Sequence, residues 1–178
     1  MAEKVQISID GRTVDLPTLE ASEGSNVVDV RGLIAEGIYT YDPGFLSTAS
    51  CDSEITYIDG AAGILMYRGY PIEQLAEHSN HLEVSHLLLN GELPSSAEYD
   101  NMVKIINANQ DVDEKYQQLF TGFKQGAHPM AMVGAAVSGL AALYHEDTDI
   151  TVHEDRVTTA HRLIAKIPTI AAMAFRHG

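Results

Sequence analysis

The sequence predicts a mainly α-helical protein with a small β-rich region at its start, and three observations predict it. Val5, Ile7 and Ile9 alternate with Gln6, Ser8 and Asp10, the two-residue period of a half-buried strand. Beyond Pro71 the apolar residues recur at steps of three and four, the period of a helix packed on one face. The later segments also begin with side chains suited to capping a helix. The expected division is therefore 1–70 for the β-rich region and 71–178 for the start of a large helical domain that continues beyond Gly178.

Taking the elements in order, Asp10-Gly11 offers a turn after the first alternation, and Val14 and Leu16 resume it, so the chain should open with a β-hairpin. A short helix is expected near Val27 to Glu36. Extended pieces are expected at Ile38 to Tyr41, Ile55 to Ile58 and Ile64 to Tyr67, separated by the turn signals Asp42-Pro43-Gly44 and Asp59-Gly60.

The helical part begins with Asn80 and Glu83, a capping pair, and Gly91 as a stop. Ser95 and Glu98 repeat the device ahead of the stripe Tyr99, Met102, Val103 and Ile106. Asp111 and Glu114 repeat it again ahead of Tyr116, Leu119, Phe120 and Phe123, with Gly126 as the stop. Pro129 suits the first turn of a helix in which Ala131, Gly134, Ala135, Ser138 and Ala142 form a stripe of small residues that would let another helix approach closely. The last helix starts near His153, carries Val157, Ala160, Ile164 and Ile167, and should be kinked or interrupted by Pro168. The apolar run Ile170 to Phe175 has no later element to cover it and should leave apolar surface exposed.

Composition narrows the function. The 178 residues hold 25 acidic and 11 basic side chains, a formal charge of -14, which repels a phosphate backbone and argues against nucleic acid as a partner. The longest uncharged apolar stretch, Pro129 to Tyr144, is shorter than the roughly 20 residues of a membrane span, so no membrane partner is expected. Cys51 has no second cysteine to pair with, and MAEKVQISID lacks the basic start and apolar run of a secretory signal; both point to a reducing cytoplasm.

Few residues are placed to carry chemistry. Glu77, His78, His81 and His86 lie near one another, but Asn80 marks a helix boundary that breaks their shared face, and no metal site is assigned. His128 before Pro129 reads as a helix cap rather than a proton carrier, because no acid or base stands nearby. Cys51 lacks an adjacent base or cation to activate it. Gly60 and Gly63 lack the rest of a phosphate-cradling loop. No catalytic constellation emerges from periodicity and spacing.

The strings DPGF (Asp42 to Phe45), STASCDSEITYIDG (Ser47 to Gly60), GILMYRGYPIEQLA (Gly63 to Ala76), LLLNGELP (Leu87 to Pro94), AHPMA (Ala127 to Ala131) and KIPTIAAM (Lys166 to Met173) resemble the N-terminal portion of citrate synthases, in family order and spacing. The β-rich start is similar to that of the long bacterial form, which assembles as hexamers built from dimers. The resemblance implies a citrate synthase-like multihelical fold, incomplete here, and an acyltransferase that condenses acetyl-CoA with oxaloacetate and water to citrate and CoA in the tricarboxylic acid cycle. It implies acetyl-CoA as substrate, no tightly bound cofactor, and self-association as dimer or hexamer. A 2-methylcitrate synthase, or a non-catalytic module docking onto full-length subunits, are the alternatives.

The family's catalytic aspartate and histidines lie in its C-terminal half, beyond Gly178, so the resemblance assigns no catalytic residue here and implies that the 178-residue chain alone is inactive. One family site does reach this region. Tyr144, Arg162 and Lys166 align with positions of a regulatory NADH site, where the cations would contact phosphates. The family's Arg-His pair aligns with Ala108 and Asn109, a departure that removes a charge-assisted contact worth about 1.5–3 kcal/mol.

Overall fold

The computed structural model describes residues 4–177, apart from the side chain of Asp147, and divides into two compact units, Met1–Glu92 and Leu93–Gly178. The strands all lie in the first unit. The long helices belong to the second.

In the first unit, β1 (Lys4–Ile9) and β2 (Arg12–Leu19) form the expected hairpin, with Ile9 paired to Arg12. Asp10 and Gly11 both have positive φ, 51° and 75°, the geometry that two-residue hairpin turns require and that Asp-Gly tolerates. Alternation then places Val14 and Leu16 on one face, and Leu16 is buried. The expected helix over Val27 to Glu36 is corrected at its start. Val27–Val28 form β3, a third strand on β2, and only Val30–Glu36 turn, as a 3-10 helix capped by the Asp29 carboxylate. Val27 and Val28 pair with Leu19 and Thr18, and the Asp29 amide donates to the Pro17 carbonyl at 2.9 Å, so the segment is held to the free edge of β2 before the Asp29 cap starts the turn.

The expected extended piece at Ile38 to Tyr41 is also corrected, for it forms no strand and its tyrosines stand in solvent. No neighbouring edge pairs with it among the described residues, and alternation alone does not satisfy backbone groups. The next two pieces do pair, as β4 (Thr56–Asp59) with β5 (Ile64–Tyr67), and β5 turns back into the short β6 (Tyr70–Pro71). Two helices follow, α1 (Ile72–His78) and α2 (His81–Asn90). The α2 ends are as expected. Asn80 Oδ1 accepts from the amides of Leu82 and Glu83, Glu83 Oε2 accepts from the Asn80 amide at 2.7 Å, and Gly91 closes the far end at φ 95°.

The second unit holds α3 (Ser96–Asn109), α4 (Glu114–Thr121), α5 (Pro129–Leu143) and α6 (His153–His177). Ser95 and Glu98 cap α3 reciprocally, as expected. For α4 the cap is Asp113, not Asp111, since Asp113 Oδ1 takes the Lys115 amide at 2.7 Å. The helix also ends at Thr121 rather than running to Gly126. The amides of Gly122 and Phe123 bond three residues back, to Leu119 and Phe120, and Thr121 Oγ1 takes the Gln118 carbonyl, which tightens and closes the last turn. Phe123 still reaches the core edge-on, its ring 6.1 Å from that of Phe120.

The core of this unit is Tyr116 and Phe120 from α4, Met132, Ala136 and Leu140 from α5, and Ile170 and Ala174 from α6. Pro168 does not interrupt α6, a correction with a physical cause. A proline inside a helix costs about 3 kcal/mol. Burying Ile170 returns about 1.5–3 kcal/mol, and Ala165 and Lys166 on one side of Pro168 and Ala174 on the other are buried too, while Pro168 itself faces solvent. The apolar run Ile170 to Phe175 is accordingly half covered: Ile170 and Ala174 are fully buried, and Phe175 is 79% exposed. Among the described residues no helix is long and apolar enough to cross a membrane.

Candidate functional site

The three residues singled out in the second unit come together. His128 starts α5, its Nδ1 accepting from the Met130 amide at 3.2 Å, which bears out the capping role read from the sequence. Fifteen residues of helix later Tyr144 ends α5, its amide bonded to the Leu140 carbonyl. Arg162 and Lys166 stand one turn apart on α6, and both address the Tyr144 ring. The Arg162 guanidinium lies 4.3 Å from the ring centroid and the Lys166 ammonium 5.8 Å. Each such contact is worth about 0.5–2 kcal/mol, more where water is excluded.

The two cations differ in setting. Arg162 is half-buried, whereas Lys166 is 5% exposed and its ammonium donates to the Asn109 carbonyl at 2.8 Å and to the Asp111 carbonyl. A buried charge survives only when its donors are used, and here carbonyls at the end of α3 use them. The pair of cations beside an aromatic face is chemically suited to an anion with a planar group attached. Lys166 already carries a structural duty there.

In the first unit the structure shows positioning residues that the sequence reading passed over. Arg68 sits at φ 50° in the two-residue turn from β5 to β6 and sends Nη2 to the Leu88 carbonyl, 3.0 Å away, in the last turn of α2. Tyr70 Oη donates to Glu92 Oε2 at 3.1 Å, and that hydrogen bond, with the charge of Glu92 behind it, raises the phenol's pKa. His86 Nδ1 lies 3.0 Å from the Glu92 carbonyl. Arg68-Gly69-Tyr70 therefore grips the end of α2 just where Leu87 to Pro94 leaves the helix. The available signal was Arg-Gly at a turn, with Gly at the second of two positions of positive φ.

Asp42 organises its own turn. Its carboxylate accepts from the amides of Leu46 and Ser47 and from the hydroxyls of Ser47 and Thr48. Those bonds, led by Thr48 Oγ1 at 2.7 Å, lower its pKa to about 2. Cys51 is exposed and unpaired with any other cysteine. An open cavity of about 650 Å³ runs between Val27 to Arg31 and Ser47 to Asp52, with the Asp29–Arg31 ion pair on its wall.

Residues 44–178 match the family model described as citrate synthase, C-terminal domain. The chain belongs to the citrate synthase family. Solved citrate synthases from Pyrobaculum aerophilum and Thermotoga maritima are similar to it, at 28% and 26% identity and TM-scores of 0.66 and 0.65. The match covers 98% of this chain and 40% of the Pyrobaculum chain, and 78% of this chain and 35% of the Thermotoga chain. The citrate synthase from Thermoplasma acidophilum, solved as a ternary complex with carboxymethyl coenzyme A and oxaloacetate, shares the fold at a TM-score of 0.68 and 24% identity, over 75% of this chain and 35% of that one. The chain thus spans 35–40% of the length of these citrate synthases. The mainly helical fold with a small strand region expected from the sequence is the one observed.

Proposed function

We propose that this chain is part of a citrate synthase, an acyltransferase that condenses acetyl-CoA with oxaloacetate and water to give citrate and CoA. The observation that carries the reading is the family match over 44–178, three quarters of the chain, together with citrate synthase structures that share its fold. In such a reaction a carboxylate takes a proton from the acetyl methyl group while hydrogen-bond donors stabilise the resulting enol and polarise the ketone of oxaloacetate. On this reading those groups belong to the part of the citrate synthase polypeptide that the 178 residues do not span, and the 178-residue chain turns over no substrate by itself. The strands β1 to β3 precede the matched region and support the long bacterial, hexameric type.

The test is release of the CoA thiol, followed with a thiol-reactive dye. Protein from the intact gene should release CoA from acetyl-CoA only when oxaloacetate is added, and faster than from propionyl-CoA. Faster turnover of propionyl-CoA would favour 2-methylcitrate synthase, and no release from either would overturn the enzymatic reading.

Two further roles follow from particular observations. Ala131, Gly134, Ala135, Ser138 and Ala142 form the exposed face of α5, which supports self-association through that helix, as dimer or larger assembly or as a module docking on full-length subunits. The Tyr144, Arg162 and Lys166 cluster supports NADH as a regulator, with the guanidinium as the principal phosphate contact. NADH titration of the thiol assay, on the parent and on R162A, tests it: inhibition lost in R162A supports the role, and equal inhibition removes it.

A further inference from the structure

The end of α3 lacks the usual closure. Its last residue is Asn109, Gln110 at the C-cap is in the right-handed helical conformation rather than the left-handed one, and among the described residues no backbone amide of the following turn bonds back to close it. Gln110 to Asp113 then run without regular structure to the start of α4. Gln117 Nε2 of α4 donates to the Val112 carbonyl at 3.1 Å, and the carbonyls before it are closed from α6. Lys166 Nζ donates to the carbonyls of Asn109 and Asp111, and Thr169 Oγ1, three residues on along the same helix, donates to the Gln110 carbonyl at 3.2 Å. Three successive carbonyls are held by two side chains of one distant helix.

We propose that Gln110 to Asp113 is a strap and that Lys166 is the latch holding it shut. The latch depends on the amino head, because it presents several donors at once and a methionine of similar length presents none. It also depends on burial, since bonds from a charged donor strengthen where water is excluded. A consequence bears on the regulatory reading without resting on it. An anion that engaged Lys166 would have to draw the ammonium off Asn109 and Asp111, so anion contact at Lys166 and a closed strap exclude one another.

The experiment is hydrogen exchange on the full-length protein, comparing the parent with K166M and K166R. In K166M the amides of the last turn of α3 should exchange roughly a hundredfold faster, the loss of two charge-assisted bonds, while α5 keeps its protection. K166R, whose guanidinium can donate to the same carbonyls, should recover most of that protection. Exchange in K166M that matches the parent at the last turn of α3, or that rises equally in α5, overturns the latch. Should K166M not fold, the parent protein answers by acetylation with an N-hydroxysuccinimide ester. Lys166 should then be modified far more slowly than the exposed Lys104, Lys115 and Lys124; modification at their rate overturns the proposal.

Discussion

Replacing Arg68 separates what its side chain contributes from what its backbone costs. The Nη2 bond to the Leu88 carbonyl is charge-assisted and its side chain is 18% exposed, so removing it should lose about 1.5–3 kcal/mol. Against this, Nε is buried with no hydrogen-bond partner among the described residues, a penalty that the truncation relieves. Such an orphan donor costs about 1 kcal/mol or more, which brings the expected net loss in R68A to roughly 1–2 kcal/mol. The ion pair with Glu54 adds little, because Glu54 is 94% exposed and its Oε2 lies 3.5 Å from Nη1. R68G loses the same bond but relieves the positive φ, which costs a residue with a side chain about 1–2 kcal/mol. The expected order of stability is therefore parent and R68G close together, with R68A lowest and E54Q unchanged. Urea unfolding read by circular dichroism, with hydrogen exchange at the end of α2, measures it. R68A within 0.5 kcal/mol of the parent, or R68G less stable than R68A, would refute the argument.

Other expectations follow from single features. Asp42 has its pKa lowered from 3.8 to about 2 by its hydrogen bonds, so its contribution is fully present above about pH 4 and is lost as pH falls toward 2. The stability difference between the parent and D42N should shrink across that window, and a difference independent of pH would contradict it. At the α2 start, N80A should cost about 1 kcal/mol and N80G only a few tenths, measured by urea unfolding; equal losses would mean that the side-chain cap is not what matters. On α5, A136L forces a larger side chain into a fully buried site and should cost about 1–3 kcal/mol. The neighbouring A135L, on the exposed face, should leave monomer stability within about 0.5 kcal/mol while weakening self-association in sedimentation. An A135L protein that associates like the parent removes the α5 interface.

The parts of the fold legible in the sequence were those decided within a few residues. Asp10-Gly11, Asn80 with Glu83, Ser95 with Glu98 and His128-Pro129 each satisfy local backbone groups, and each element begins or turns where they stand. The misreadings arose where distant partners decide. Ile38 to Tyr41 alternates like a strand but, among the described residues, finds no edge to pair with. Pro168 reads as a break, and the helix persists because Ala165, Ile170 and Ala174 bury its other face. Phe123 carries the α4 period past the end of α4, since it packs on Phe120 without remaining helical.

The cluster of Tyr144, Arg162 and Lys166 was legible only through family resemblance, for nothing local pairs residues in different helices. Its inner logic was not legible at all. Lys166 spends its donors on Asn109 and Asp111, more than fifty residues away in sequence, and no spacing rule reports such a bond. Arg68 escaped for the same reason, its acceptor lying twenty residues further on.

Co-purification of activity with this polypeptide from its source cells tests the central claim most directly. Peptides from Tyr41 to Arg68 identify the protein through each column, and CoA release from acetyl-CoA is assayed with and without oxaloacetate. Membership of a working citrate synthase predicts that oxaloacetate-dependent release and these peptides rise and fall together to homogeneity. Pure fractions that carry the peptides and release no CoA would contradict it.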